Sequence, residues 1–430
     1  MKILIVNHYD CRNKGDHSVL SVMIESLKRA FSGSEITVLS HYPRTDRVRC
    51  NATILESLVK PSPGMYAKLV TISSMVRCII WAAMMRNLGT GINKLVPVDK
   101  RETVSAYVKA DIVLGRSTDW FNDVYEVTTL LTAFYEIFMA VLIGKKTVIY
   151  AQTIGPIKNG LKGKAYKIAL RALFSRLDLI MVRDVDSKRF LRSIGLTHPS
   201  VQVTADPAFC LRPSSKQRSD EIFKREGILR IGDSLLIGFN ISRLTFRYCF
   251  PEISDPNEKY ERYTKMMAEL IDHTEDKLNA TAVLIPHVFG PDAFDDRKAC
   301  MDVLQRLKNK DKTTMISNEY SPEELRSIIS QCDLFIGMRM HAIIHALSMH
   351  VPTVGIDYSG KVLGIMTMTE QNGLVCRADT LNLNDLLAKV EFAFENRDRI
   401  RKTLESRVRI LQQRSMLNII LVKKLLENTP

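Results

Sequence analysis

The sequence predicts an α/β protein made of two doubly wound, Rossmann-like domains facing a cleft. Three observations carry this. Short apolar runs rich in β-branched residues recur along the 430-residue chain, segments of helical spacing separate them, and the alternation stops near residue 211 and restarts near 233. Strands that read as continuous apolar runs are those buried on both faces, and helices between them make the sheet parallel.

The first half opens with "KILIVN" (2–7), the helical segment 17–31 and "EITVLS" (35–40), a β-α-β unit. The strands "ADIVLG" (110–115), "KTVIYAQ" (146–152), "DLIMVRD" (178–184) and "VQVTAD" (201–206) follow, with helical segments at 129–144 and 163–177 between them. Residues 211–232 are polar and charged and contain a proline, like a linker with a short helix. The second half repeats the alternation with strands at 234–242, 280–287, 313–317, 333–337 and 353–357. Its helix signal at "SPEEL" (321–325) combines an N-cap serine, a first-turn proline and following acids. The expected domains are therefore 1–210, a linker 211–232, 233–383, and a helical segment 384–430.

The formal net charge of +14 favours anionic partners, such as a phosphate-bearing substrate, an acidic polymer or a membrane face. No zinc-finger spacing or aromatic-rich basic motif supports nucleic acid. Eight cysteines without a C-x-x-C argue against a disulfide framework or zinc, and for a reducing cytoplasm. "MKILIVNHYD" reads as a strand and not as a secretion signal. In 68–88 the residues Leu69, Ile72, Val76, Ile79, Ile80 and Ala83 share one helical face, opposite Thr71, Ser74 and Cys78. Lys68, Arg77 and Arg86 speak against a membrane span. The first expectation is a helix packed on its own domain. The second is a surface anchor at the inner face of a membrane.

Ligands of doubly wound sheets sit beyond the carboxyl ends of the strands, so candidate residues are sought there. After the first strand come Asn13, Gly15 and Asp16, ahead of a helix whose free N–H groups suit an oxygen-rich ligand, with Asp16 as the expected N-cap. No G-x-G-x-x-G accompanies them. Asp119 and Trp120 follow the strand at 110–115 as a possible sugar-binding floor, and Arg183 ends another strand as an anion ligand or one half of an ion pair. Arg243 and His287 lie at strand ends of the second half.

The segment "GMRMHAIIHAL" (337–347) places Arg339, Met340 and His341 where an apolar strand passes into an apolar helix. A guanidinium, an imidazole and free helix N–H groups converging there would suit a phosphorylated, carboxylated small molecule that must gain a proton. Lys361 offers a second cation. His341 and His345 are spaced for a metal, but "HAIIH" lacks the glutamate of H-E-x-x-H, so no metal is expected and His345 is read as a supporting residue.

These pieces, in order, resemble the polysaccharide pyruvyl transferase family, particularly its colanic acid branch. The matching pieces are "CRNKGDHSVL" for the N-x-G-D turn, "ADIVLG" with its acidic-aromatic run, "QTIGP", "VRDVDSKRFLRSIG", "VTADPAF" and "GMRMHAIIHALSMHVPTVGIDYSGKVLGIM". The resemblance implies a GT-B-like fold and transfer of the pyruvyl group of phosphoenolpyruvate to a pair of sugar hydroxyls of a polysaccharide or its precursor, free or lipid-linked, giving a ketal. It implies no cofactor besides that donor. It places His341 on the catalytic histidine, Arg339 on the donor-binding arginine and Arg183 on a further phosphoenolpyruvate-binding arginine. The chain departs from the pattern at Arg116, in place of a second glycine, and at His350 and Val351 before the proline turn. A GT-B glycosyltransferase using a sugar nucleotide and a non-catalytic carbohydrate- or membrane-binding protein are the alternative readings.

Overall fold

The structure is a computed structural model and describes residues 1–59, 65–89, 93–122, 127–198, 201–228, 234–290 and 294–427. The chain divides into two compact units, and each is discontinuous in sequence. The first comprises Met1–Cys11, Val19–Pro207 and Gln413–Pro430, and the second Arg12–Ser18 and Ala208–Gln412. Within the expected linker, Lys216–Glu226 is a helix, capped by Ser215 at its start and by the left-handed Gly227 at its end. Residues 229–232 of that linker, and residue 233 at the start of the expected second domain, lie outside the described residues.

The first unit contains a seven-stranded sheet in the order β3-β2-β1-β4-β5-β6-β7. Its strands are β1 (Lys2–His8), β2 (Glu35–Ser40), β3 (Thr53–Glu56), β4 (Ile112–Gly115), β5 (Lys146–Gln152), β6 (Leu179–Val182) and β7 (Val201–Val203). Every pairing is parallel. The second unit repeats the pattern with β8 (Leu235–Asn240), β9 (Ala280–Leu284), β10 (Thr313–Met315), β11 (Leu334–Gly337), β12 (Thr353–Asp357) and β13 (Val375–Arg377), in the order β10-β9-β8-β11-β12-β13. These pairings are parallel as well. In each sheet the order reverses beside its first strand, at β1/β4 and at β8/β11. That reversal is where the connecting helices change face and leave a crevice.

The central strands are sealed. β4, β6, β9, β11 and β12 are buried at every position, as their apolar runs require. Two edge strands escape the sequence reading. "TILE" and "VCR" are too short to stand out as runs, and each is held from one side only.

The helix Met65–Leu88 packs on its own unit as expected, through the face opposite the apolar residues singled out in the sequence. Cys78, Trp81 and Ala82 are at most 4% exposed, whereas Leu69, Ile72, Val76 and Ile80 are 47–60% exposed. The helix is fixed by its other side to the helix Val127–Ile143, where the Tyr135 hydroxyl donates to the Met75 carbonyl at 3.0 Å. Both faces are apolar, so periodicity located the helix without deciding which side Trp81 would take inward.

Candidate active site

At the end of β11 the chain makes one non-helical step at Arg339 and enters the helix Met340–Ser348. Gly337 must be glycine here, because a Cβ would lie 2.6 Å from Ile343 Cγ1. Asn240, at the end of β8, fixes the step. Its Oδ1 accepts from the Arg339 amide at 2.9 Å, and its Nδ2 donates to the Ile285 carbonyl at 3.0 Å.

The Arg339 guanidinium is oriented by Asp296. Nη2 donates to Oδ1 at 2.7 Å and Nε to Oδ2 at 3.3 Å, while Nη2 also reaches the Phe294 carbonyl at 3.3 Å. The Asp296 side chain is fully buried, and it also accepts from the backbone amides of His287 and Val288, at 3.2 and 3.1 Å. Burial raises the Asp296 carboxyl above its ordinary value, against the pull of Arg339 and the two amides. The same burial opposes the Arg339 charge, but Asp296 raises Arg339 above the usual arginine range. A bidentate pair of this kind sets a guanidinium plane in space. The arginine side chain keeps 14% exposure, so part of it is reachable by a ligand.

His341 begins the next turn and packs against Gly15. A Cβ on Gly15 would sit 2.3 Å from His341 Nδ1 and 2.6 Å from Cγ, so this approach requires the bare backbone of glycine. The segment Arg12–Ser18 therefore belongs with the second unit. The Lys14 amide donates to the His287 carbonyl at 3.0 Å, the Phe289 amide donates to the Arg12 carbonyl at 3.1 Å, and Lys14 Nζ pairs with Glu319 at 2.5 Å. Asp16 is not the N-cap. The helix starts at Lys14, and Asn13 holds the turn, its Oδ1 accepting from the Gly15 amide at 3.1 Å and its Nδ2 donating to Asp16 at 3.2 Å.

Two further histidines lie beneath. The ring nitrogens of His287 are buried with no hydrogen-bond partner among the described residues, and its ring meets that of His345 edge-on at 5.0 Å. Burial, with His341 and Arg339 adding to it, pushes His287 well below the usual histidine range and keeps it neutral. His345 is fully buried and lies 2.9 Å from Ser18 Oγ. The Ser18 hydroxyl donates to the Lys14 carbonyl at 2.6 Å, so it accepts from His345 Nε2–H, which fixes the tautomer. His345 thus supports the turn that carries Gly15.

Lys361 opens the helix Lys361–Met368 after β12. Asp357 accepts from the amides of Ser359, Gly360 and Val362, and Gly360 takes φ +80°, which swings Lys361 onto the helix start. Burial pushes the Lys361 amine down to about 8, with Asp16 acting in the opposite direction. Met340 is half-buried at the same crossing, and Arg243 lies over the Tyr260 ring at 6.0 Å.

The remaining candidates are in the first unit. Arg183 is buried, with Nη1 2.5 Å from Asp206 and Nε 2.7 Å from Thr153 Oγ1, so the ion-pair half of its expectation is what the geometry displays. Arg116 is fully buried and donates from Nε to the Asn7 carbonyl at 3.3 Å. Trp120 joins an aromatic group with Tyr9 and His41, at ring distances of 6.1 and 5.6 Å, while the neighbouring Asp119 is half-buried. His8, Cys11 and Asp46 bring possible metal-ligand atoms together, but the Asp46 carboxylate is already engaged by His8, Ser40 and the Cys11 amide. Burial opposes its charge, and these partners still hold it down at about 2.

Asp296 and Asn240 were missed by the sequence reading. The available signal was "DD" at 295–296. Asp295 alone caps the helix Asp296–Arg306, accepting from the Arg297 amide, which leaves the second acid for another duty.

Solved structures share this fold. UDP-GlcNAc 2-epimerase from Neisseria meningitidis superposes with a TM-score of 0.59 at 14% identity, covering all of both chains. HepE from Anabaena superposes at 0.57 and 12%, again over all of both chains. At such identity the likeness establishes the GT-B-like α/β fold alone. In sequence, the amylovoran biosynthesis protein AmsJ of Erwinia amylovora is 24% identical over 407 residues, 93% of this chain and 94% of that protein. The model of one family matches residues 13–360, which takes in the Asn13–Asp16 turn, Asp296, Arg339, His341 and most of both sheets: the chain belongs to the polysaccharide pyruvyl transferase family.

Proposed function

We propose that the protein transfers the pyruvyl group of phosphoenolpyruvate to two hydroxyls of a sugar in a polysaccharide or its precursor, forming a cyclic ketal and releasing phosphate. The observation that carries this reading is the Arg339 guanidinium, fixed by Asp296, at the crossing where His341 packs on Gly15. Family membership and the amylovoran biosynthesis role of AmsJ support it.

In this reading Arg339 and Lys361 hold the donor's carboxylate and phosphate, and the start of the helix Met340–Ser348 adds its free amides. His341 delivers a proton to the methylene carbon, which becomes a methyl group and leaves the central carbon electron-poor. One sugar hydroxyl adds there and returns its proton to His341. Phosphate departs with its bonding pair, and the second hydroxyl closes the ring as its proton goes to phosphate or solvent.

Calorimetry separates this from a nucleotide-sugar transferase. Phosphoenolpyruvate should bind, and Arg339→Lys should weaken it by roughly tenfold or more, because a point charge cannot replace the fork. His341→Ala should bind the donor yet release phosphate about 10²–10⁴-fold more slowly with the acceptor present. Binding of UDP or UDP-sugars without phosphoenolpyruvate, or unimpaired turnover of His341→Ala, would overturn the assignment.

A further inference from the structure

We propose that the helix Met65–Leu88 is a membrane-docking element that lies in the plane of an anionic lipid surface. Its segment Lys68–Leu88 is long and apolar enough to cross a membrane by length and composition. The geometry argues for lying on the surface instead. One face is committed to the protein through Cys78, Trp81 and Ala82. Two side chains tie the helix down further: Arg86 donates to the Val141 carbonyl at 3.3 Å, and Arg77 donates to the Lys94 carbonyl at 3.0 Å.

On a helix turning about 100° per residue, Leu69, Ile72, Val76 and Ile80 fall within one narrow stripe, opposite Cys78 and Trp81. Arg77 borders the stripe on one side, and Lys68 and Arg86 border it on the other. The four apolar side chains of the stripe are each about half exposed or more. No Asp or Glu occurs anywhere in residues 65–88. Beside the helix, Glu56 and Asp99 share Lys100 at 3.2 and 3.7 Å, so this group keeps one net negative charge against the three cations Lys68, Arg77 and Arg86. An outward apolar stripe between basic borders is the pattern of a helix that buries its apolar face to acyl depth while its cations meet lipid phosphates. A protein partner suited to this face would need carboxylates at both borders. A second copy would bring like charges together around the same stripe.

The test uses the full chain and co-sedimentation with vesicles of phosphatidylcholine, alone or mixed with phosphatidylglycerol. The expected result is binding to the anionic vesicles that weakens with salt. Replacing Leu69, Ile72, Val76 and Ile80 together by Gln should reduce binding roughly tenfold or more, at an unchanged melting temperature. Ser73→Leu, which widens the exposed stripe, should strengthen it, and this variant carries the test even if the quadruple variant folds poorly. Three results would overturn the proposal: no binding to anionic vesicles, equal binding by the wild type and Ser73→Leu, or a lipid-free dimer that the quadruple variant dissociates.

Discussion

Gly15→Ala tests the architecture of the site, and its thermal-unfolding arm needs no knowledge of the acceptor. The added methyl would stand 2.3 Å from His341 Nδ1, 2.6 Å from Cγ and 2.9 Å from Cβ. Favourable contacts begin near 3.5 Å, so the imidazole has to move by roughly 1 Å. Overpacking of this size costs about 1–3 kcal/mol. Against it, alanine is better than glycine in a helix by about 0.5–1 kcal/mol, and Gly15 lies inside one. The net is a loss of about 0.5–2 kcal/mol, read as a fall of a few degrees in melting temperature. If His341 is the proton shuttle of the proposed mechanism, displacing it by roughly 1 Å should cost on the order of 10² in turnover. In a His341→Gly background the obstructing atoms are gone, and the same substitution should become neutral or stabilising. That change of sign is the diagnostic result, a coupling of about 1–3 kcal/mol between two positions far apart in sequence. If Gly15→Ala costs the same melting temperature in both backgrounds, or leaves turnover intact, Gly15 is not what seats His341.

Asp296→Ala should destabilise the protein by about 3–5 kcal/mol, because it leaves Arg339 without its buried partner and orphans the His287 and Val288 amides; thermal unfolding measures it, and a loss below about 1 kcal/mol would show that the pair does not hold the crossing. Ser18→Ala should cost about 1–3 kcal/mol by leaving His345 Nε2–H without its acceptor, whereas Ser18→Thr, which keeps a hydroxyl, should cost less in the same melting experiment. Lys361 titrates near 8 and is charged below that value, so affinity for phosphoenolpyruvate should fall as pH rises through 8, by at most about tenfold per unit. The donor's phosphate is already fully ionised there, since its second pKa is about 6. Lys361→Gln should flatten that part of the calorimetric pH profile, and a profile that keeps its slope would remove Lys361 from the donor site.

What the sequence made legible follows from the physics of each element. The central strands announce themselves because burial on both faces demands unbroken apolar runs, as in "DLFIG" and "TVGID". Arg339 and His341 stood out because polar side chains interrupted such a setting. Asp296 did not, because an acid at a helix start has an ordinary explanation as a cap, and only the tertiary fold reveals that Asp295 already performs that duty. Gly15 was visible as a turn residue, but its contact with His341 depends on two distant segments meeting. The helix Met65–Leu88 was legible as a helix, and its orientation was not, because the choice between Trp81 and the Leu69–Ile80 stripe depends on the surface it meets.

The interleaving of the two units bears on how the chain is made. The turn Arg12–Ser18 leaves the ribosome early, yet Asp296, Arg339 and His341 emerge only after the whole sheet of the first unit. Until then Gly15 lacks the His341 ring it packs against. Domains that fold as they are synthesised ordinarily finish in order, but here residues 413–430 return to the first unit after the second has been translated. Neither unit corresponds to one continuous stretch of message, so cutting the gene between residues 207 and 208 would yield one fragment with a stranded turn and another lacking its glycine.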